Sequence, residues 1–138
     1  MNFEALTQSR FLRFGAVGAA GFVVDEAVLY AGHALLGLDP YTARVISILC
    51  AMTFTWWGNR TLTFAEHAAE GAGAVAREWL KFMLANALGA VANYATYTLC
   101  VRYAPAPLSN PQVGVVAGVA VGMVFNFTLS QRFVFRPK

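Results

Sequence analysis

Four long apolar stretches dominate the chain, and short segments rich in polar residues or proline separate them. A helix that crosses a membrane needs about 20 mostly apolar residues, and four stretches approach this length: residues 11–36, 41–58, 79–103 and 111–129. A turn at 37–40 separates the first two, and the prolines of 104–110 separate the last two. The pattern predicts an all-α membrane protein with four transmembrane helices.

Polar positions recur between these stretches, which indicates an internal duplication. The first stretch aligns with the third and the second with the fourth, so that Arg13 matches Lys81, Gly21 matches Gly89, Asp25 matches Asn93, Phe54 matches Phe125 and Thr55 matches Asn126. Repeat one therefore covers about 10–64 and repeat two about 77–135, within a single transmembrane domain, 1–138. Two spans per repeat predict parallel repeats, related by an axis near the membrane normal.

Basic residues mark one side of the predicted spans. Only two cationic residues, Arg44 and Arg102, lie toward the opposite side. The basic side has Arg10, Arg13, Arg60, Arg77, Lys81, Arg132, Arg136 and Lys138. The positive-inside rule therefore places both termini and the polar connection 59–78 in the cytoplasm.

Composition agrees with a membrane protein. The 138 residues are 58% hydrophobic and 12% charged, whereas a soluble domain has roughly 25% charged residues. The surplus apolar surface is expected to face lipid. A cleavable signal peptide is not expected, because the first stretch is long and contains two acids. Cations beside anionic headgroups account for the net charge of +3 without any nucleic acid.

Nothing in the sequence indicates metal, nucleotide or catalytic chemistry. Cys50 and Cys100 lie in apolar stretches and are interpreted as small core residues rather than a disulfide. The two histidines, His33 and His67, are isolated, and no zinc or phosphate-loop motif is present. We therefore predict no cofactor and no metal, and we do not expect an enzyme.

Small residues recur at helical spacing on all four predicted spans. Gly114, Gly118 and Gly122 lead to Asn126 on the fourth span. The matched positions of the second span are Ala43, Ser47, Ala51 and Thr55, and the other two spans carry Gly18, Gly21 and Gly89. Small residues let helix backbones approach closely in lipid. The glycines are interpreted as packing positions, within the chain or between chains.

Asp25 is the most costly residue to place in a membrane. It lies about 18 Å into the first span at roughly 1.5 Å per residue, where a lone acid costs about 2.5–3.5 kcal/mol. One hypothesis is a proton or headgroup site formed by Asp25, Glu26, Asn93 and Asn126. The other is a buried hydrogen-bond network that orients the helices. Arg44 could extend outward, pair with either acid, or bind a phosphate.

Polar clusters also follow the second and fourth spans at the predicted inner edge. Arginine's forked donors fit a phosphate group, and the residues predicted to gather a lipid phosphate are Asn59, Arg60, Lys81, Gln131 and Arg132. The alternative is that these cations only anchor the orientation of the helices.

These motifs carry a family resemblance that covers about residues 11–135. Its carriers are Arg13-Phe14 with Gly18, Asp25, and the segments 54–64 (FTWWGNRTLTF) and 125–135 (FNFTLSQRFVF). The chain resembles the GtrA-like family of four-span bacterial membrane proteins. The resemblance implies translocation of a polyprenyl-phosphate-linked sugar across the cytoplasmic membrane, for cell-surface polysaccharide or glycan modification, by a multi-pass inner-membrane protein.

Two other functions stay open at this point. A small multidrug-type proton-coupled antiporter would use Asp25 and Glu26 alternately for protons and a cation. A non-transporting subunit would dock a glycosyltransferase through the connection 59–78. Four short spans enclose little volume, so a homo-oligomer, in the first instance a dimer, is expected beside the membrane lipid.

Overall fold

The structure, a computed structural model, describes residues 3–136. Over these residues it contains no strand, and its long helices are α1 (Phe3–Tyr30), α2 (Pro40–Gly58), α3 (Ala72–Tyr103) and α4 (Pro111–Leu129). The chain divides into two compact units, of which the first extends to Gly71 and the second begins at Ala72. In the first unit α1 packs against α2, and in the second α3 packs against α4.

Helices α2 and α4 begin with the same kind of cap. The carboxylate of Asp39 accepts hydrogen bonds from the backbone N–H groups of Tyr41 and Thr42, at 3.1 and 3.0 Å. The amide oxygen of Asn110 accepts one from the N–H of Gln112, at 2.9 Å. A proline follows each cap at the first helical position, where its missing N–H costs nothing. The two helices therefore start where the sequence predicts turns.

Both α2 and α4 continue into a π-helical turn, Asn59–Thr63 and Ser130–Val134. Each turn closes with a phenylalanine N–H that donates to the first carbonyl of the turn, over 2.8 Å. The expected loop 59–78 is therefore much shorter than predicted. After the π turn, residues 64–71, which include the short 3-10 turn Ala65–His67, precede α3, because alanine-rich sequence starts α3 well before the predicted span.

A pair of phenylalanines closes one end of each unit. Phe14 meets Phe64 edge to face with ring centroids 6.4 Å apart, and Phe82 meets Phe135 at 6.3 Å. Phe64, Phe82 and Phe135 each have at most 1% of their surface exposed. The four residues occupy aligned positions of the two repeats, so stretches that match in sequence make the same contact in their own unit.

Much of the outer surface is apolar. Two stretches, Ser9–Leu35 and Pro111–Val134, are long and apolar enough to cross a membrane. Large side chains such as Leu12, Tyr94 and Val116 are exposed, which is expected for helices that contact lipid. Cys50 corrects a prediction: it lies on this exposed surface of α2, not in a core, whereas Cys100 is half-buried, and both thiols are free. Lys138 lies outside the described residues.

Candidate functional site

Asp25 and Arg44 form an ion pair inside the first unit. One guanidinium nitrogen of Arg44, Nη1, lies 2.7 Å from each carboxylate oxygen of Asp25. Asp25 belongs to the stretch of α1 that is long enough to cross a membrane, and Arg44 lies in the second turn of α2. Of the possibilities open to Arg44 from the sequence, the structure shows pairing with Asp25.

The local sequence explains why these two groups meet. Val17, Gly21 and Asp25 follow at spacings of four on α1, which places Asp25 on the face that packs against α2. On α2, the fully buried Ser47 donates to the backbone oxygen of Arg44 at 2.9 Å, and its hydroxyl lies 3.5 Å from the guanidinium. The Asp25 side chain is 14% exposed and that of Arg44 is 48% exposed, so the pair is buried from the acid's side and open on the arginine's side.

Glu26 does not join this pair. It is exposed on α1, because successive residues of a helix point about 100° apart. Asn93 and Asn126, the remaining residues of the predicted site, belong to the second unit.

In the second unit both asparagines lie against glycines of the facing helix. The amide of Asn126 contacts the position where a Cβ on Gly89 would stand, and a Cβ on Gly118 would lie 2.7 Å from the backbone oxygen of Asn93. A Cβ on Gly122 would lie 3.0 Å from Asn93, and one on Gly114 would lie 3.2 Å from the ring of Tyr97. These glycines therefore make room for polar or aromatic side chains between α3 and α4.

Of the two glycines predicted to pack helices in the first unit, only Gly21 makes room for a side chain of the facing helix. A Cβ on Gly21 would collide with the methyl group of Thr55, the residue that aligns with Asn126. Gly18 is exposed, and a Cβ there would meet nothing within 4 Å. The packing role predicted for Gly18 is therefore absent within this unit, because the position points about 100° away from Val17, which faces α2.

Three buried oxygens of the second unit have no hydrogen-bond partner within residues 3–136. They are Asn126 Oδ1, Ser130 Oγ and Gln131 Oε1. In the first unit the residue that aligns with Ser130 is Asn59, whose amide oxygen accepts from the hydroxyl of Thr63 at 2.7 Å. The second repeat has Val134 in place of Thr63 and so lacks that donor.

The residues predicted to bind a lipid phosphate are divided between the units. Asn59 and Arg60 belong to the first, and Lys81, Gln131 and Arg132 to the second. Asn59 corrects a prediction: it is 1% exposed and holds the π turn together through Thr63, so its side chain does not face the surface.

The cations of this predicted set differ in how firmly their side chains are held. Arg60 donates to the backbone oxygen of Ala69 at 2.6 Å and lies 5.4 Å from the ring centre of Trp56. Lys81 and Arg132 are exposed, and Gln131 is half-buried. Arg60 is therefore held beside its own unit, whereas Lys81 and Arg132 extend from theirs.

Sequence reasoning missed Glu78, which it left at the end of a loop. The structure places Glu78 inside α3 and buries it to 4% exposure. Its spacing to Phe82, Ala85 and Gly89 puts it on the buried face of that helix. Two signals were available: that helical spacing, and the fact that Glu78 aligns with the basic Arg10 of repeat one.

Two helical units with lipid-compatible surfaces, one of them holding a charge pair on a membrane-length helix, define a helical membrane protein. The chain belongs to the GtrA/DPMS transmembrane domain family, whose model matches residues 13–135. The resemblance drawn from the sequence is thus confirmed. The family consists of membrane proteins in lipid-linked sugar processes and is generally regarded as non-catalytic. No curated protein matches the chain significantly.

Proposed function

We propose that this protein translocates a polyprenyl-phosphate-linked sugar across the cytoplasmic membrane, as a multi-pass inner-membrane protein that serves cell-surface glycan synthesis. The observation that carries the proposal is the Asp25–Arg44 ion pair, in which one partner lies on a membrane-length helix. Family membership supports the proposal, because the family consists of membrane proteins in lipid-linked sugar processes.

The pair suits a phosphate that must cross an apolar layer about 30 Å thick. A guanidinium binds carboxylate and phosphate through the same forked donors. Arg44 is about half exposed, so a passing phosphate can reach it while Asp25 holds the side chain in place between passages. Exchange of one anion for another keeps the arginine paired, and this offsets part of the cost of leaving Asp25 without its cation during the passage.

The proposed topology has four crossings with both termini in the cytoplasm. Ser9–Leu35 and Pro111–Val134 support two crossings by length and composition. Helix α2 has 19 residues before its π turn and α3 has 32, and at about 1.5 Å per residue both reach nearly or fully across the apolar layer. A homodimer is part of the proposal, because four spans enclose little volume.

The antiporter hypothesis fits the pair less well. It needs an acid that is free to exchange a proton for a cation, but Asp25 is paired with a guanidinium of its own unit. Glu26 lies on another face of α1 and does not assist.

The test is reconstitution of the purified chain into vesicles that contain a lipid-linked sugar. The measurement is the fraction of the sugar that an impermeant oxidant outside the vesicles can oxidise. Asp25→Asn is expected to slow this exposure strongly. Asp39→Asn is the matched control, because it removes an acid from the same unit at an exposed helix cap. Undiminished translocation by Asp25→Asn would exclude the pair from the mechanism. No translocation by the wild type, together with capture of a glycosyltransferase, would favour the docking subunit instead.

A further inference from the structure

A basic cavity lies beside the N-terminal half of α1 in the first unit. It has a volume of about 120 Å³, and its lining includes Ser9, Arg10 and Arg13 of α1 and the segment 62–66 that follows α2. Arg10 and Arg13 are three residues apart and therefore share one face of the helix. Two guanidinium groups at one cavity form a site for an anion.

The two arginines keep most of their donors available. Arg13 donates a long hydrogen bond of 3.4 Å to the backbone oxygen of Leu62. Nη2 of Arg10 lies 3.7 Å from a carboxylate oxygen of Glu66, whose side chain is 83% exposed. An exposed pair at this distance contributes little and is easily displaced. Each guanidinium has five N–H donors, so an entering anion finds unused donors on both.

A larger apolar groove adjoins this cavity. Arg13 and Leu62 line both, and the groove, of about 480 Å³, continues along α1 and α2 past Ala16, Ala20, Phe54, Trp57 and Gly58. Small residues form its floor and two aromatic rings stand at its side. A charged cavity that opens into an apolar groove matches an amphiphile with an anionic head.

The second repeat has different residues at the positions that line this feature. The residues that align with Ala16, Ala20 and Gly58 are Leu84, Leu88 and Leu129, and the residue that aligns with Arg10 is Glu78. Leu84 and Leu88 add bulk at exposed helix positions, whereas the space beside Gly58 is occupied by Val17, 2.8 Å from where a Cβ would stand. An acid replaces one of the cations. The two alanines and the two arginines are therefore sequence features of the first repeat.

We propose that the two cavities together bind a phosphorylated lipid with one hydrocarbon chain. The phosphate lies between Arg10 and Arg13, and the chain follows the floor formed by Ala16, Ala20 and Gly58. This inference rests on the proposed function, for which the site would load the lipid on the cytoplasmic side. A single chain is proposed because the described groove continues directly from the charged cavity, with Arg13 and Leu62 lining both. This site differs from the predicted phosphate site at Asn59, Arg60, Lys81, Gln131 and Arg132.

The test measures binding of farnesyl phosphate to the purified full chain in detergent, followed through quenching of tryptophan fluorescence, since Trp57 lies in the groove. Arg13→Gln should weaken binding roughly ten- to a hundredfold, as expected when a hydrogen bond to a charged group is lost. Arg136→Gln, which removes an exposed arginine elsewhere, is the control and should leave the dissociation constant unchanged. Arg13→Lys, which keeps the charge, should restore part of the affinity.

The groove is tested by giving it the leucines of the second repeat. Ala16→Leu with Ala20→Leu should abolish farnesyl phosphate binding, while circular dichroism shows unchanged helix content. Both alanines are exposed, so the added methyl groups do not disturb the core. Ala19→Leu, one residue away and outside the groove, is the control. If the double leucine variant and Arg13→Gln both bind farnesyl phosphate as tightly as the wild type, the proposal is overturned.

Further probes separate the parts of the ligand. Inorganic phosphate and farnesol should each bind far more weakly than farnesyl phosphate. Equal binding of a two-chain phosphatidic acid would overturn the single-chain assignment, and equal binding of farnesol would overturn the phosphate role. Wild-type protein that binds farnesyl phosphate in this way but translocates no lipid-linked sugar would refute the proposed function alone. Translocation with no farnesyl phosphate binding would refute the site alone.

Discussion

Replacing Arg44 should destabilise the first unit more than replacing Asp25, because the two partners are buried to different extents. Arg44→Met leaves a carboxylate that is only 14% exposed without its cation. Breaking a buried pair in this way costs about 3–5 kcal/mol, and we expect the lower end, because Arg44 itself is half open to its surroundings. Asp25→Leu leaves a long arginine that can extend toward the surface, at a cost of about 1 kcal/mol.

The double variant distinguishes an electrostatic role from simple packing. Asp25→Leu with Arg44→Met replaces the pair by apolar side chains, an exchange that is often neutral or stabilising by about 1–4 kcal/mol. The double variant should therefore be more stable than Arg44→Met alone. With single costs of about 3 and about 1 kcal/mol and a double variant that is at least neutral, the coupling energy of the cycle should be about 4 kcal/mol, above the usual range for residues in direct contact.

The assay is equilibrium unfolding of each variant in mixed micelles, followed by circular dichroism, with Glu26→Gln as the control. The exposed Glu26 should change the free energy of unfolding by less than about 0.5 kcal/mol. Equal costs for the two single variants, or a coupling energy below about 0.5 kcal/mol, would refute the reasoning. A stable double variant that fails to translocate lipid-linked sugar would show that the pair is kept for transport and not for folding.

Two further outcomes follow from the caps and the glycines. Gly118→Ala should destabilise the second unit by about 1–3 kcal/mol, because the new Cβ would lie 2.7 Å from the backbone oxygen of Asn93. Gly18→Ala meets nothing within 4 Å and should be neutral or stabilise α1 by up to about 1 kcal/mol in thermal unfolding; similar effects at the two positions would contradict this account. The Thr42 hydroxyl and then backbone N–H groups lower the pKa of Asp39 from its ordinary 3.8. Its contribution to stability is therefore complete above pH 3.8 and lost as the pH falls through the lower folded-state pKa. Asp39→Asn, which caps without titrating, should flatten the acid limb of the stability profile, and an unchanged limb would exclude Asp39 as its source.

The helices could be predicted from the sequence wherever a local signal marks their ends. The prediction for the fourth span agrees with α4, because Asn110 and the following proline are a strong start signal. The start of α3 was missed, because Arg77 and Glu78 were interpreted as part of a loop. Their helical spacing to Phe82 and Gly89 instead places Glu78 on a buried face, and that burial becomes evident only once α3 has a partner.

The site was predictable in residue type but not in pairing. The cost of an acid within the membrane singles out Asp25 from the sequence alone. The choice between Asp25 and Glu26 as the partner of Arg44 depends on how α1 is rotated against α2, which no local pattern determines. The inward position of Asn59, in contrast, could have been predicted. It lies four residues beyond Thr55 and continues the face of Ser47, Ala51 and Thr55 that packs against α1.

The differences between the repeats are more informative about function than their similarities. The paired phenylalanines occur in both units and account for packing, which each copy needs equally. Charge is distributed unequally: Asp25 and Arg44 in the first repeat align with Asn93 and Val115 in the second. The residues that line the groove also differ between the repeats: the first has alanines where the second has leucines. The ion pair and the alanines that line the groove are separate features of the first copy, and the aligned positions of the second copy have neither the charges nor the alanines. The simplest physical account is that one copy handles a charged lipid and the other keeps the scaffold, so exchanging the diverged residues between copies should move the binding activity with them.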